Sequence, residues 1–116
     1  MSKIELSETY LGQHIIVGIK ANSLLLMELR TVLDYVRDKV SNRGTKKPVI
    51  KLDTGYVDSK IIEVLHTARG LLGEKETLEL ICENTYINDM LEVCGIPLIV
   101  KCYGSEQEFR QKYNYT

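Results

Sequence analysis

Ser59 follows Asp58, and His66 lies further along the same expected helix, so nucleophilic catalysis is the first chemistry to test. Seven helical residues place the hydroxyl and the imidazole about 10 Å apart along the axis. A general base must come within about 3 Å of the proton it takes, so the pair cannot act as a dyad within one helix. No Gly-x-Ser-x-Gly elbow is present either. The other imidazole, His14, sits in an apolar run and reads as a packed residue. Phosphate cradles are missing too: there is no Gly-x-x-x-x-Gly-Lys-Ser/Thr and no Gly-x-Gly-x-x-Gly. An aspartyl-phosphate receiver would use Asp53 at a strand end and Lys101 on a later strand, together with Mg²⁺ held by further acids. The segment where those acids belong reads Gly18-Ile19-Lys20-Ala21-Asn22 and has none. Asp53 is therefore expected to accept turn amides. Cys82, Cys94 and Cys102 lie in apolar stretches without ligand spacing and read as reduced core residues. No metal site and no cofactor are expected, and the chain reads as non-enzymatic.

What remains is the corner Asp53-Thr54-Gly55-Tyr56-Val57-Asp58-Ser59. A serine at a helix start is commonly a cap. It is also a place where phosphate is well tolerated, because the first-turn amides favour an anion. A phosphoserine would add roughly −1.5 to −2 charge beside Asp58, changing what can dock there while leaving the fold in place.

The elements that would hold this corner are legible from period. Residues 3–7 and 14–20 read as strands joined by a Gly12-Gln13 turn. Asn22-Ser23 offers a cap for a helix with Leu25, Leu29, Val32, Val36 and Val40 on one face, ending near residues 41–44. Residues 48–53 read as a central strand. A second helix opens at Asp58-Ser59, buries Ile61, Leu65, Ala68 and Leu72, and stops at Gly73. Residues 77–83 form the next strand. Asn84-Thr85 cap a third helix with Ile87, Met90, Leu91 and Cys94 inward, and residues 97–103 form the last strand. Ser105 and Glu108 read as a capping box for a C-terminal helix reaching about Lys112. The tail of residues 111–116 has no periodicity and is expected to fray. The order β-β-α-β-α-β-α-β-α implies an α/β domain with a mixed sheet, parallel after its leading hairpin.

Size and charge agree with one domain over residues 1–116. Surface scaling buries about two-thirds of the unfolded chain's area at this length. Fifteen Lys+Arg against sixteen Asp+Glu give a formal charge of −1, which argues against nucleic acid as a partner. The longest apolar run, Leu24-Leu25-Leu26-Met27, is far short of the roughly 20 residues that span a bilayer, and the N-terminus lacks the apolar centre of a secretory signal. No membrane insertion is expected, and a cytoplasmic location is.

With the element order and the corner in view, the chain resembles the STAS domain family of bacterial anti-sigma factor antagonists from about residue 14 to residue 109. Val49-Ile50-Lys51-Leu52-Asp53-Thr54-Gly55-Tyr56-Val57-Asp58-Ser59 looks like the family's strand, turn and Asp-Ser pattern. Met90-Leu91-Glu92-Val93-Cys94-Gly95-Ile96 and Tyr103-Gly104-Ser105-Glu106-Gln107-Glu108-Phe109 look like its short glycine-ended helix and its last strand running into the final helix. The resemblance implies a STAS-like mixed sheet with helices largely on one face. It makes Ser59 the phosphoacceptor, and Gly55, Tyr56, Val57, Asp58, Ser59, Lys60 and Ile61 the contact surface. The implied partner is an anti-sigma factor or related serine kinase, sequestered by the unphosphorylated chain and released on phosphorylation. Lys60 and Ile61 stand where the family usually has a small residue and a glycine. That difference supports the alternative, a constitutive interaction subunit or scaffold, of a transport or signalling complex for example, that works without phosphorylation.

Overall fold

The computed structural model describes residues 4–116, so the expected strand start at Lys3 lies outside it. Strands β1 (Glu5–Leu11) and β2 (His14–Ala21) form the antiparallel hairpin, closed by Gly12-Gln13. β1 runs four residues beyond its expected end, paired with β2 all the way to Leu11↔His14. Helix α1 (Leu26–Ser41), β3 (Lys47–Thr54), α2 (Ser59–Gly70), β4 (Leu78–Ile81), α3 (Thr85–Val93), β5 (Val100–Tyr103) and α4 (Glu106–Lys112) follow. The sheet order is β1-β2-β3-β4-β5, with every pair after the hairpin parallel. This is an α/β fold with a five-stranded mixed sheet and four helices.

The strand order fixes where the helices go. Each crossover advances one strand in the same direction, so crossovers of one hand, normally right-handed, place their helices on the same face. Accordingly α1, α2 and α3 all bury their apolar stripes in one cluster: Val32, Val36 and Val40 from α1, Leu65 and Ala68 from α2, Ile87 and Leu91 from α3. They pack on Ile15, Val17, Ile19, Ile50, Leu52 and Leu80 of the sheet. Strand side chains alternate between faces, so Ile16, Val49, Ile81 and Tyr103 point the other way. There they meet Phe109 of α4, which is fully buried. The expectation of helices largely on one face holds for three of the four.

A buried polar cluster locks α4 and the tail onto this second face. His14 and Glu79 are only 1% and 4% exposed, and His14 Nε2 lies 3.1 Å from Glu79 Oε2. Tyr103 donates its hydroxyl to Glu79 Oε1 at 2.8 Å, and Tyr113 donates to the same oxygen. His14 Nδ1 lies 2.7 Å from the Tyr115 hydroxyl, which also accepts the Gln13 amide. Every group is satisfied by one proton arrangement. His14 is neutral, donates from Nε2 to Glu79, and accepts from Tyr115 at Nδ1, a tautomer assigned from the network. Burial pulls the His14 pKa down, against the opposing pull of Glu79. The tail therefore does not fray as expected: Tyr113 and Tyr115 trade solvent for ring packing and buried hydrogen bonds. Gly12 accommodates this at φ +56°, where a Cβ would fall 2.3 Å from the Tyr115 ring.

Other departures have local causes. The α1 cap is Leu25 rather than Asn22-Ser23, because the Glu28 carboxylate reaches back 2.8 Å to the Leu25 amide. Leu25 is consequently half exposed, not core. Helix α2 ends at Gly70, three residues before Gly73, and Glu76 closes the following turn through the Gly73 amide at 3.0 Å. Strand β5 starts at Val100 because Pro97 lies in a 3₁₀ turn, Ile96–Leu98. Cys94 caps α3 in solvent and Met90 is half-buried, so neither is a core residue. At α4, Ser105 accepts from the Glu108 amide while Glu108 takes the Gly104 amide, one residue before its expected partner.

Glu79→Ala should destabilise the fold by about 2–4 kcal/mol, because two buried donors, His14 and Tyr103, and the half-buried Tyr113 lose their acceptor. Urea unfolding measures this. The depressed His14 pKa has a definite sign. As pH falls below about 6.5 the unfolded imidazole binds a proton before the folded one does, so stability present above that pH is lost on acidification. His14→Gln should flatten this part of the stability–pH curve.

Candidate functional site

The corner after β3 is shaped by a close backbone approach. The Gly55 amide donates to the Asn22 carbonyl at 2.9 Å, joining the loop after β2 to the loop after β3. A Cβ at Gly55 would fall 2.7 Å from that same oxygen. Tyr56 is 46% exposed, and Val57 packs partly against the core.

Helix α2 begins with Asp58 in extended conformation, and its carboxylate Oδ1 accepts the amides of Lys60 and Ile61 at 3.0 and 3.3 Å. Oδ2 lies 2.8 Å from Lys60 Nζ. Burial opposes ionisation of Asp58, but the Lys60 ammonium and the two amides outweigh it and hold its pKa below the usual value. Asp58 is thus the cap, and Ser59 is not. Ser59 is the first helical residue, exposed, with no side-chain hydrogen bond recorded among the described residues. Its hydroxyl is available to a reagent and carries no structural duty.

Ile61 turns inward and is 2% exposed, one of the buried residues of α2 with Val64 and Leu65. Its place in the expected contact surface is therefore corrected: at the third helical position it shares the core stripe of residues three and four further on. Lys60 is half-buried and occupied by Asp58. The corner presents Gly55, Tyr56, Ser59 and part of Val57, Asp58 and Lys60.

A neighbouring feature was missed in the sequence. Leu25, the cap of α1, and Leu26 and Met27, its first two residues, lie three to five residues after Asn22 and are exposed, Met27 by 80%. They form an exposed apolar ledge, and Tyr56 is exposed on the adjacent loop, which the Gly55–Asn22 bond fastens to theirs at the end of the sheet that carries Ser59. The signal was the run Leu24-Leu25-Leu26-Met27 followed by Glu28, which moves the cap forward and turns the run's last three residues outward while Leu24 stays buried.

The rival chemistries do not assemble. Asp53 is exposed and takes no turn amide among the described residues. It borders a shallow 410 Å³ depression with Ser7, Lys20 and Lys51 that contains neither Asp58 nor Lys101. Lys101 pairs with Glu79, which pairs with Val49, four residues back from Asp53. That offset is about 13 Å along the strands. His66 is exposed on α2, remote from Ser59 in helical position. Among the described residues no group of three or more His, Cys, Asp or Glu could hold a metal ion, and no helix is long and apolar enough to cross a membrane. Comparison with protein-family models and with curated proteins finds no match to this chain.

Asp58→Ala should cost about 1 kcal/mol of stability, as loss of a helix cap does. Ser59→Ala should stay within about 0.5 kcal/mol of wild type. Chemical denaturation of both variants checks the division of labour, and equal losses would contradict it.

Proposed function

We propose that this chain is a STAS-like regulatory binding domain, similar to anti-sigma factor antagonists, whose partner contact is switched by phosphorylation of Ser59. One observation carries the reading: Ser59 is exposed at the first position of α2 while Asp58 alone caps the helix. Phosphate there adds charge at the surface without removing a bond that the fold needs. At a helix N-terminus the charge is tolerated or mildly stabilising, by about 0.3–1 kcal/mol. The same dianion stands beside the ionised Asp58 and competes for Lys60, so the local surface changes from mixed to strongly acidic. A partner seated on Tyr56 and the Leu25–Met27 ledge meets this charge at the edge of an apolar contact, where desolvating it is costly. The partner class is an anti-sigma factor or related serine kinase, in keeping with the resemblance of residues 49–59. The compartment this implies is the cytoplasm.

The exposed ledge itself favours a second reading, a constitutive interaction subunit or scaffold that uses the same surface without phosphorylation. Buried Ile61 lends that reading nothing; exposed Leu26 and Met27 do.

Pull-down from the native cell lysate with wild-type and Ser59→Glu baits separates the two, with bound proteins identified by mass spectrometry. The switch predicts a serine-kinase-like or sigma-regulating protein held by wild type and lost by the glutamate bait. Partners held equally by both baits would move the assignment to the constitutive subunit. A third bait, Met27→Asp, should lose the partner under either reading.

A further inference from the structure

The other end of the parallel strands carries a separate feature. A 560 Å³ cavity opens at the N-terminal ends of β3 and β4 and beside β5, between the α1–β3 and α2–β4 connections. Its lining holds five cationic side chains and two carboxylates, in a chain whose net charge is −1. Lys47 and Thr54 lie at opposite ends of β3, about 23 Å apart, so the cavity and the Ser59 corner are independent sites.

Two of the cations are committed. Arg43 forks onto both oxygens of Glu76 at 2.8 and 2.7 Å, which neutralises one of the carboxylates. Lys46 donates to the Gly12 carbonyl at 2.7 Å. The other carboxylate, Glu79, is buried and already holds His14, Tyr103 and Tyr113. That leaves Lys47, Lys75 and Lys101, all exposed and without an ion pair among the described residues. Lys101 lies over the Tyr103 ring, 5.8 Å from its centroid, a contact that leaves its charge unneutralised. They come from three different segments: the first residue of β3, the α2–β4 connection and the second residue of β5. Lys47 sits close enough to His14 for its charge to disfavour the imidazolium. Three like charges facing one space repel one another, and a multivalent anion relieves this while each ammonium makes a charge-assisted hydrogen bond. The volume falls within the range of small-molecule pockets, about 300–1,000 Å³, and Tyr113 contributes an aromatic wall.

We propose that this cavity binds a small molecule bearing two or more linked phosphates, held by Lys47, Lys75 and Lys101. A single phosphate spans fewer of the three ammonium groups and binds more weakly.

The test is isothermal titration calorimetry on the full chain with tripolyphosphate, adenosine triphosphate and orthophosphate, each at low and at physiological salt. Two triple variants are compared with wild type: K47S/K75S/K101S in the cavity, and K20S/R30S/R37S on remote surfaces, with the same change in net charge. The expected result is saturable one-to-one binding of the two polyphosphates, tighter than orthophosphate. That binding should be retained by the remote variant and weakened about tenfold or more by the cavity variant. An amine-reactive label on the wild-type chain gives a readout that no variant's folding can affect. Tripolyphosphate should protect Lys47, Lys75 and Lys101 selectively. Absence of saturable binding, equal weakening in both variants, or unselective protection would overturn the site. Saturable binding of a polyglutamate peptide with none of the phosphates would overturn the ligand class and assign an acidic protein segment instead.

Discussion

The buried Glu79 carboxylate is the interaction on which the second half of this structure depends. It accepts from Tyr103 and Tyr113 through one oxygen and meets His14 through the other, with less than a tenth of its surface exposed. A sheet with sequential parallel order sends its connecting helices to one face, so the opposite face needs its own cover. Here that cover is the seven-residue α4, which buries Phe109, and the four residues after it, too small to hold by apolar area alone. The Glu79 hub ties strand, helix and tail together. An ion pair on the rim, Lys51 with Glu106 at 3.0 Å, adds to this and holds the Glu106 pKa down.

With both faces closed in this way, the two ends of the strands are left for function. At the carboxyl ends, the usual place for sites in open α/β sheets, the contact between Gly55 and Asn22 fastens adjacent loops and presents Ser59 at a helix start. At the amino ends, the same parallel arrangement gathers lysines from three segments around a cavity. The division of labour between Asp58 and Ser59 is what suits the first end to the proposed switch. The aspartate does the structural work of the cap, so the adjacent hydroxyl is chemically available at little cost to stability.

Local physics made most of the fold legible in advance. Val32, Val36 and Val40, or Leu65, Ala68 and Leu72, recur at helical spacing because one face must be buried, and that spacing gives the helix wherever its neighbours lie. Gly12-Gln13 between apolar strands announces a hairpin for an equally local reason. The tail reads as frayed because its anchors are distant: Tyr115 meets His14 across 101 residues of sequence, and no periodicity in residues 111–116 encodes that contact. The α1 cap failed in another way. Asn22 and Ser23 have capping side chains, but Asn22 commits its carbonyl to Gly55, and Glu28 secures the helix start at Leu25 instead. At the site, the Asp-Ser pair was visible as a pair. Which of the two capped the helix was not, since both residue types can do so. Ile61 reads as core from the helical spacing and as contact surface from the resemblance, and the spacing is the reading that holds.

The most direct measurement of the central claim is phosphosite mapping by mass spectrometry on the chain purified from its own cells under phosphatase inhibition. The account predicts a phosphorylated fraction with the phosphate on Ser59. Phosphate confined to other residues, or a chain wholly unmodified under every growth condition sampled, would contradict it.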